Sequence, residues 1–273
     1  MQTIYAMSDI HGMINLLKAR LSQLDMNEIR SGKAKLVFLG DYIDRGLNSI
    51  KVMETIRGLQ NDLGENVIAL KGNHDQWFLD FLFGQSPYWI DSIQSITFLR
   101  EFLTTSELGR INHLISRQKA HMINGIVRGA METRYKDLLS WMKSLRLFYE
   151  TEHQIFVHAG VDEEAGEFWQ IGSSDEIFYE KYPATTGDFY KDIIAGHVSV
   201  STASGDRSLH DIYYDGHSHF FIDGIDSYPP SVKDDECTIP LLKYVEEEGV
   251  GSYFSVLPDG GEKLLCSKNW STT

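Results

Sequence analysis

The chain has 273 residues and a mass of 31.1 kDa, enough for one large domain with a sizeable core. Its 42% hydrophobic and 12% aromatic content excludes a disordered or low-complexity polymer. Twenty-five Lys+Arg against 39 Asp+Glu, a formal charge of −14, argue against nucleic acid or an anionic membrane as partner.

Cys237 and Cys266 form no C-x-x-C pair, so neither a disulfide framework nor a zinc-thiolate site is expected. No apolar run approaches the roughly 18 residues of a membrane span. Met1-Gln2-Thr3 leads into a strand pattern without a signal-peptide profile, and the expectation is a soluble, cytoplasmic chain.

In chain order, Ile4–Met7 reads as a buried strand before Asp9, and helical spacing follows over Leu16–Ile29. Leu36–Leu39 before Asp41 and Val67–Leu70 before Asn73 repeat the pattern about 30 residues apart, the length of a β-α-β unit. Residues from about 77 to 150 read as a helical insertion within a single domain spanning 1–273, with helical spacing at Ile111, Leu114 and Ile115 and again at Leu138, Leu139 and Met142. Its stretch from Arg100 to Glu150 holds nine Lys/Arg and five Asp/Glu, which reads first as solvated helix faces. Aromatic residues between Trp77 and Trp89 read as packing between insertion and core, with nucleobase stacking as the alternative. Ile155–Val157 before His158 and Ile193–Ala195 before His197 complete five strand-like runs, an α/β pattern. Weaker alternation at His219–Ile222, Ile239–Val245 and Tyr253–Leu257 predicts a second, mixed or antiparallel sheet. The acidic run Asp234-Asp235-Glu236 reads as a solvated loop.

All five runs are followed by polar groups, and in open α/β sheets ligands gather at the carboxyl ends of strands. Asp9-x-His11-Gly12 places two donors two residues apart. Gly40-Asp41-Tyr42-Ile43-Asp44-Arg45-Gly46 crowds two carboxylates that repel unless a cation balances them. Gly72-Asn73-His74-Asp75 adds an amide oxygen and an imidazole, and His158-Ala159-Gly160 and Gly196-His197 add two more imidazoles. Singly, each histidine is more often a structural group; five motifs in this order point to one centre holding two divalent ions.

With these motifs the chain resembles the calcineurin-like metallophosphoesterases, and within them the phosphoprotein phosphatase family that includes the symmetrical dinucleoside tetraphosphate hydrolases. Asp75 stands where that family usually has Glu. The resemblance implies a four-layer α/β/β/α sandwich with a helical cap. It implies that Asp9, His11 and Asp41 hold the first metal, that Asp41, Asn73, His158 and His197 hold the second, and that Asp41 bridges them. It further implies His74 as general acid, Asp44 as its partner and Arg45 on the phosphoryl oxygens, with water activated by both ions as the attacking group. Nitrogen and oxygen donors without thiolate suit Mn²⁺ first, with Fe or Zn²⁺ as alternatives.

Two departures from the family pattern bear on substrate. Between Ala159 and Gly196 the only basic residues are Lys181 and Lys191, so a second phosphate-binding arginine is missing there; Arg128 or Arg134 of the insertion is the expected substitute. The last motif, Gly196-His197-Val198-Ser199, lacks a second His two positions on, which weighs against nuclease-type relatives. The leading expectation is a serine/threonine protein phosphatase acting on a phosphorylated protein. A dinucleoside tetraphosphate hydrolase acting on a nucleotide is second, and a non-catalytic binding module on the same fold third.

Overall fold

The computed structural model describes residues 2–270 apart from 87, 92, 116, 118 and 226–237; Cys237 and the run Asp234-Asp235-Glu236 lie outside the described residues. Strands β1 (Gln2–Met7), β2 (Ala34–Phe38) and β3 (Val67–Ala69) alternate with helices α1 (Ile14–Leu21), α2 (Met26–Arg30) and α3 (Ser49–Leu63). Five helices follow: α4 (Asn73–Leu82), α5 (Ile93–Phe102), α6 (Thr105–Ile115), α7 (Ala120–Arg134) and α8 (Lys136–Ser144), with a 3-10 turn at Tyr88–Asp91 after α4. Strands β4 (Phe148–Glu150) and β5 (Gln154–Val157) lead to the short helices α9 (Trp169–Gly172) and α10 (Asp175–Glu180). The described chain closes with β6 (Asp192–Ser199), α11 (Val200–Ser204), β7 (Tyr213–Tyr214), β8 (His219–Asp223), β9 (Leu242–Glu247), β10 (Val250–Val256) and β11 (Glu262–Asn269).

Two sheets result, in the orders β11-β10-β9-β1-β2-β3 and β4-β5-β6-β8-β7. Because successive strand side chains point to opposite faces, each apolar run divides between two cores. Tyr5, Met7, Leu36, Phe38, Val67 and Ala69 face the helical layer of the first sheet. Their neighbours Ile4, Ala6, Val37, Leu39, Ile68 and Leu70 meet Phe156, Ile194, Phe220 and Ile222 of the second sheet. Beyond that sheet, Ile155, Val157, Ile193 and Ala195 are covered by Val161, Trp169 and Phe178. The architecture is therefore an α/β/β/α sandwich. Helices α4 to α8 share the outer core of the first sheet, through residues such as Phe78, Phe98, Val127 and Leu138.

Strand partners differ from the sequence reading. Ile239–Val245 and Tyr253–Leu257, expected in the second sheet, supply β9 and β10, and β9 pairs antiparallel with β1 in register Gln2↔Glu246 on the first sheet. Runs β5 and β6 instead build the second sheet in parallel, beside β8. Alternation identifies a strand but carries nothing about which edge it joins. No helix among the described residues is long and apolar enough to cross a membrane.

Candidate metal centre

Four of the five polar groups stand just beyond strand ends: Asp9 after β1, Asp41 after β2, Asn73 opening α4 after β3, and His158 after β5. His197 lies within β6, where the register with β8 shifts between Ala195 and Ser199. The loops they occupy are strained. Asp9, His11, Asp41, Asp44, Arg45 and His197 all have φ between 43° and 68°, in the left-handed region that non-glycine residues disfavour. Such conformations persist only where surrounding contacts over-determine them. Here the backbone supplies part of that: Asp9 N–H donates to Gly40 O at 3.2 Å, His11 N–H to Asp41 O at 2.9 Å and Gly12 N–H to Tyr42 O at 2.9 Å.

Two glycines permit the loops to approach. A Cβ on Gly72 would overlap the Asp41 carboxylate, and one on Gly196 would overlap Ser8 Oγ and the Asp9 carboxylate. Asp75 ties the same loops together, accepting from the backbone N–H groups of Asp41 at 3.0 Å, Tyr42 at 3.2 Å and Gly72 at 3.0 Å. Burial pushes its carboxyl up to about 6, against the pull of those donors.

The side chains converge on Asp41. His11 Nε2 lies 3.3 Å from Asp41 Oδ2 and 3.8 Å from Asp9 Oδ1, and His158 Nε2 lies 3.5 Å from Asp41 Oδ1. Asn73 Oδ1 is 3.0 Å from both His158 Nε2 and His197 Nδ1, and the His197 N–H donates to Asp9 Oδ2 at 3.1 Å. Among the described residues, two groups of donor atoms lie within 4.8 Å of one another, His11–Asp41–His74 and Asp9–Asp41–His158, with Asp41 common to both. His74 Nδ1 meets Asp44 Oδ2 at 2.7 Å, which leaves its Nε2 facing the centre, 4.0 Å from Asp41 Oδ2.

This donor set fits divalent cations. His11 Nδ1 lies 2.7 Å from Ile43 O and His158 Nδ1 3.0 Å from Leu39 O. A carbonyl only accepts, so each ring carries its proton on Nδ1 and turns the Nε2 lone pair inward. Burial, reinforced by the Arg45 charge, holds His11 well below its usual range; burial lowers His158 as well, and burial with His158 takes His197 down to about 3. The Nε2 lone pairs of His11 and His158 thus face the Asp41 oxygens, and His11 Nε2 is buried without a hydrogen-bond partner. Such a cluster of acceptors is balanced by positive charge. Desolvation pushes the Asp41 carboxyl well above its usual range.

Arg45 is half-buried, has a buried Nε without a partner, and bears electrostatically on His11, His158 and His197. The two insertion arginines are placed otherwise. Arg134 is engaged by Glu107 at 2.8 and 3.1 Å and by Phe102 O at 3.0 Å, and Arg128 lies 4.0 Å from Glu132 on a solvent-facing turn. Neither faces Asp41 through any of these contacts. Two further groups escape sequence reasoning. Asp223 is buried at the end of β8 and is pushed well up by desolvation and by the charge of Asp9. It ends an apolar run as the five recognised groups do, and that signal was available. Trp89 donates its indole N–H to Asp44 Oδ2 at 3.0 Å, for which the sequence holds no local signal.

The chain matches the model of the calcineurin-like phosphoesterase family over residues 2–221. It is 25% identical over 160 residues to a symmetrical bis(5'-nucleosyl)-tetraphosphatase of Janthinobacterium sp. (strain Marseille), covering 58% of this chain and 44% of that protein. It is 34% identical over 98 residues to serine/threonine-protein phosphatase 2 of Salmonella typhimurium, covering 33% of this chain and 41% of that protein. The chain thus spans less than half the length of each of these curated relatives. Among solved structures it resembles a cold-active protein-tyrosine phosphatase of a psychrophilic Shewanella species, with a TM-score of 0.57, 16% identity and coverage of 97% of this chain and 81% of that one. A putative diadenosine tetraphosphatase gives a TM-score of 0.52 at 14% identity, covering 100% and 95%. At these identities the likeness is one of fold.

Proposed function

The chain belongs to the calcineurin-like phosphoesterases, and on that footing we propose that it hydrolyses phosphomonoesters as a serine/threonine protein phosphatase dependent on two divalent ions. The observation that carries this reading is the pair of buried donor groups sharing Asp41, with the His74–Asp44 contact of 2.7 Å opening on the same space. Asp9, His11 and Asp41 would hold one ion, and Asp41, Asn73, His158 and His197 the other. With nitrogen and oxygen donors and no thiolate, Mn²⁺ is our first choice, ahead of Fe or Zn²⁺. When bound, such ions neutralise the phosphoryl oxygens and make water more acidic near neutral pH.

The chain's own groups do the rest. Arg45 directs a planar, permanently charged guanidinium at the phosphoryl oxygens. As the oxygen of a water that has given up one proton to solvent bonds to phosphorus and the ester P–O bond breaks, the departing oxygen takes a proton from His74 Nε2. The ring regains a proton from solvent after the product leaves. Asp44 accepts from Nδ1–H at 2.7 Å and balances the charge of the doubly protonated ring, whose second proton, on Nε2, is the one given to the leaving group. No serine or cysteine nucleophile is needed, because water attacks directly.

The second reading is a symmetrical dinucleoside tetraphosphate hydrolase, favoured by the longer of the two curated alignments, 160 residues against 98. Purified chain supplied with Mn²⁺ should release phosphate from phosphoserine peptides; turnover of diadenosine tetraphosphate alone would replace the first reading with the second. In either case His74→Asn should retain metal while turnover of esters with poor leaving groups falls by about 10²–10⁴.

A further inference from the structure

Trp89 belongs to the 3-10 turn that follows α4, yet its side chain reaches the catalytic dyad. Asp44 Oδ2 accepts from the Trp89 indole N–H at 3.0 Å and from His74 Nδ1 at 2.7 Å, so two donors from separate segments converge on one oxygen. The other oxygen, Oδ1, is buried without a hydrogen-bond partner, and the Asp44 backbone lies at φ 68°. Among the described residues, these two donors are the hydrogen bonds that hold this carboxylate in orientation. The indole, by contrast, is firmly seated. Trp89 is 5% exposed, and its ring packs 4.8 Å from Phe78, 5.2 Å from Phe81 and 6.2 Å from Phe98.

Phe78 and Phe81 lie on α4, the helix whose first turn presents Asn73 and His74. His74 and Phe78 are four residues apart, hence on one face. The same helix thus carries the imidazole and the aromatic bed that aims the indole at its partner.

We propose that Trp89 is a positioning residue for the proton donor: its N–H fixes the Asp44 carboxylate and, through it, the orientation of His74 toward the leaving-group oxygen. This rests on the acid role given to His74 above. An indole N–H is a donor only, so it complements a carboxylate that is already accepting from the imidazole. Removing it frees the carboxylate to rotate, and small misplacements of a reacting group are costly in rate.

The test has a spectroscopic arm and a kinetic arm. In chain labelled with ¹⁵N-tryptophan, the Trp89 indole signal is identified by its loss in Trp89→Phe. It should shift and exchange faster in Asp44→Asn, while the other four indole signals, from five tryptophans in all, stay in place. With Mn²⁺, Trp89→Phe should lower kcat about tenfold on an alkyl phosphate, with KM retained, and far less on p-nitrophenyl phosphate, whose leaving group needs little proton assistance. In a His74→Asn background the same substitution should add no further loss on the alkyl ester. Phe98→Leu, which loosens the aromatic bed but keeps the indole, should lower the melting temperature without this substrate selectivity. Equal losses on both esters, additive losses with His74→Asn, or an indole signal indifferent to Asp44→Asn would each overturn the assignment of Trp89 alone. Wild-type chain that turns over neither ester, though loaded with metal, would overturn the phosphatase reading and this assignment with it.

Discussion

At the scale of single residues, Asp75 is the clearest case of a side chain whose task is to hold others. Three backbone N–H groups from two loops meet its carboxylate, and all of them are buried with it. Asp75→Ala would strand those donors away from water, at about 1–3 kcal/mol for each that finds no substitute. We expect a total near 4 kcal/mol and a fall in melting temperature of about 10 °C for a domain of this size. Asp75→Asn, which retains one acceptor oxygen, should lose less. Thermal denaturation of both variants checks the order. The donors gathered around Asp41 are legible in the sequence, because strand-end motifs carry the residue types that metal chemistry needs. The left-handed backbone of Asp9, His11, Asp41, Asp44, Arg45 and His197 is not. A sequence would ordinarily mark such positions with glycine, and these side chains occupy them because neighbouring loops hold the backbone there.

At the scale of elements, the helices of the 73–144 region are joined to the core and to each other by carboxylates acting as caps. Glu101 on α5 accepts from the N–H groups of Ser49 at 2.8 Å and Ile50 at 2.9 Å, and so caps the buried start of α3, four residues after Arg45. Glu107 accepts from Thr104 N–H at 2.8 Å while its own N–H donates to Thr104 Oγ1 at 3.2 Å, a reciprocal capping box for α6. Arg134 at the end of α7 then binds Glu107 through two nitrogens. The Arg134 hydrogen bond, followed by the Thr104 donors, takes the Glu107 carboxyl down to about 2 from an ordinary 4.5. A carboxyl lowered in the folded state stabilises fully above its unfolded value and loses that contribution as pH falls through the folded one. The advantage of wild type over Glu107→Gln should therefore be complete above about pH 4.5 and shrink between there and about pH 2. Solvent screening of the half-exposed Arg134 keeps the effect small. Melting curves from pH 7 downward test it, and a gap independent of pH would refute it. Thr104-x-x-Glu107 could have been read as a helix start from sequence, but the Glu101 cap joins residues about fifty positions apart and has no local signature. The engagement of Arg134 likewise answers why a basic insertion need not face the phosphate: helix spacing shows which residues share a face, not which of their charges are already paired.

At the scale of the whole molecule, a chain of net charge −14 keeps five of its 39 acidic side chains in the buried centre, where charge is most costly. Asp9, Asp41, Asp44, Asp75 and Asp223 are each no more than 2% exposed, and the half-buried Arg45 is the cation that acts electrostatically on several groups of this centre. Buried carboxylates at this density repel one another and lose hydration, so the folded chain gains from any cation that enters among them. Binding energy at such a centre is also folding energy. Both sheets contribute ligand candidates, Asp9, Asp41 and Asn73 beside the first and His158 and His197 beside the second, so opening either half of the sandwich would disperse the site. Mn²⁺ at about a hundred times its dissociation constant should add about 2.7 kcal/mol over the chelated chain, raising the melting temperature by about 5–10 °C. Asp41→Asn, which alters the residue common to both donor groups, should abolish most of that rise. Asp188→Asn, at a surface carboxylate 89% exposed and paired with His217, should retain it. Identical melting temperatures in excess chelator and in excess Mn²⁺ would mean that these five loops gather for some reason other than metal, and the proposed hydrolysis would lose its physical basis.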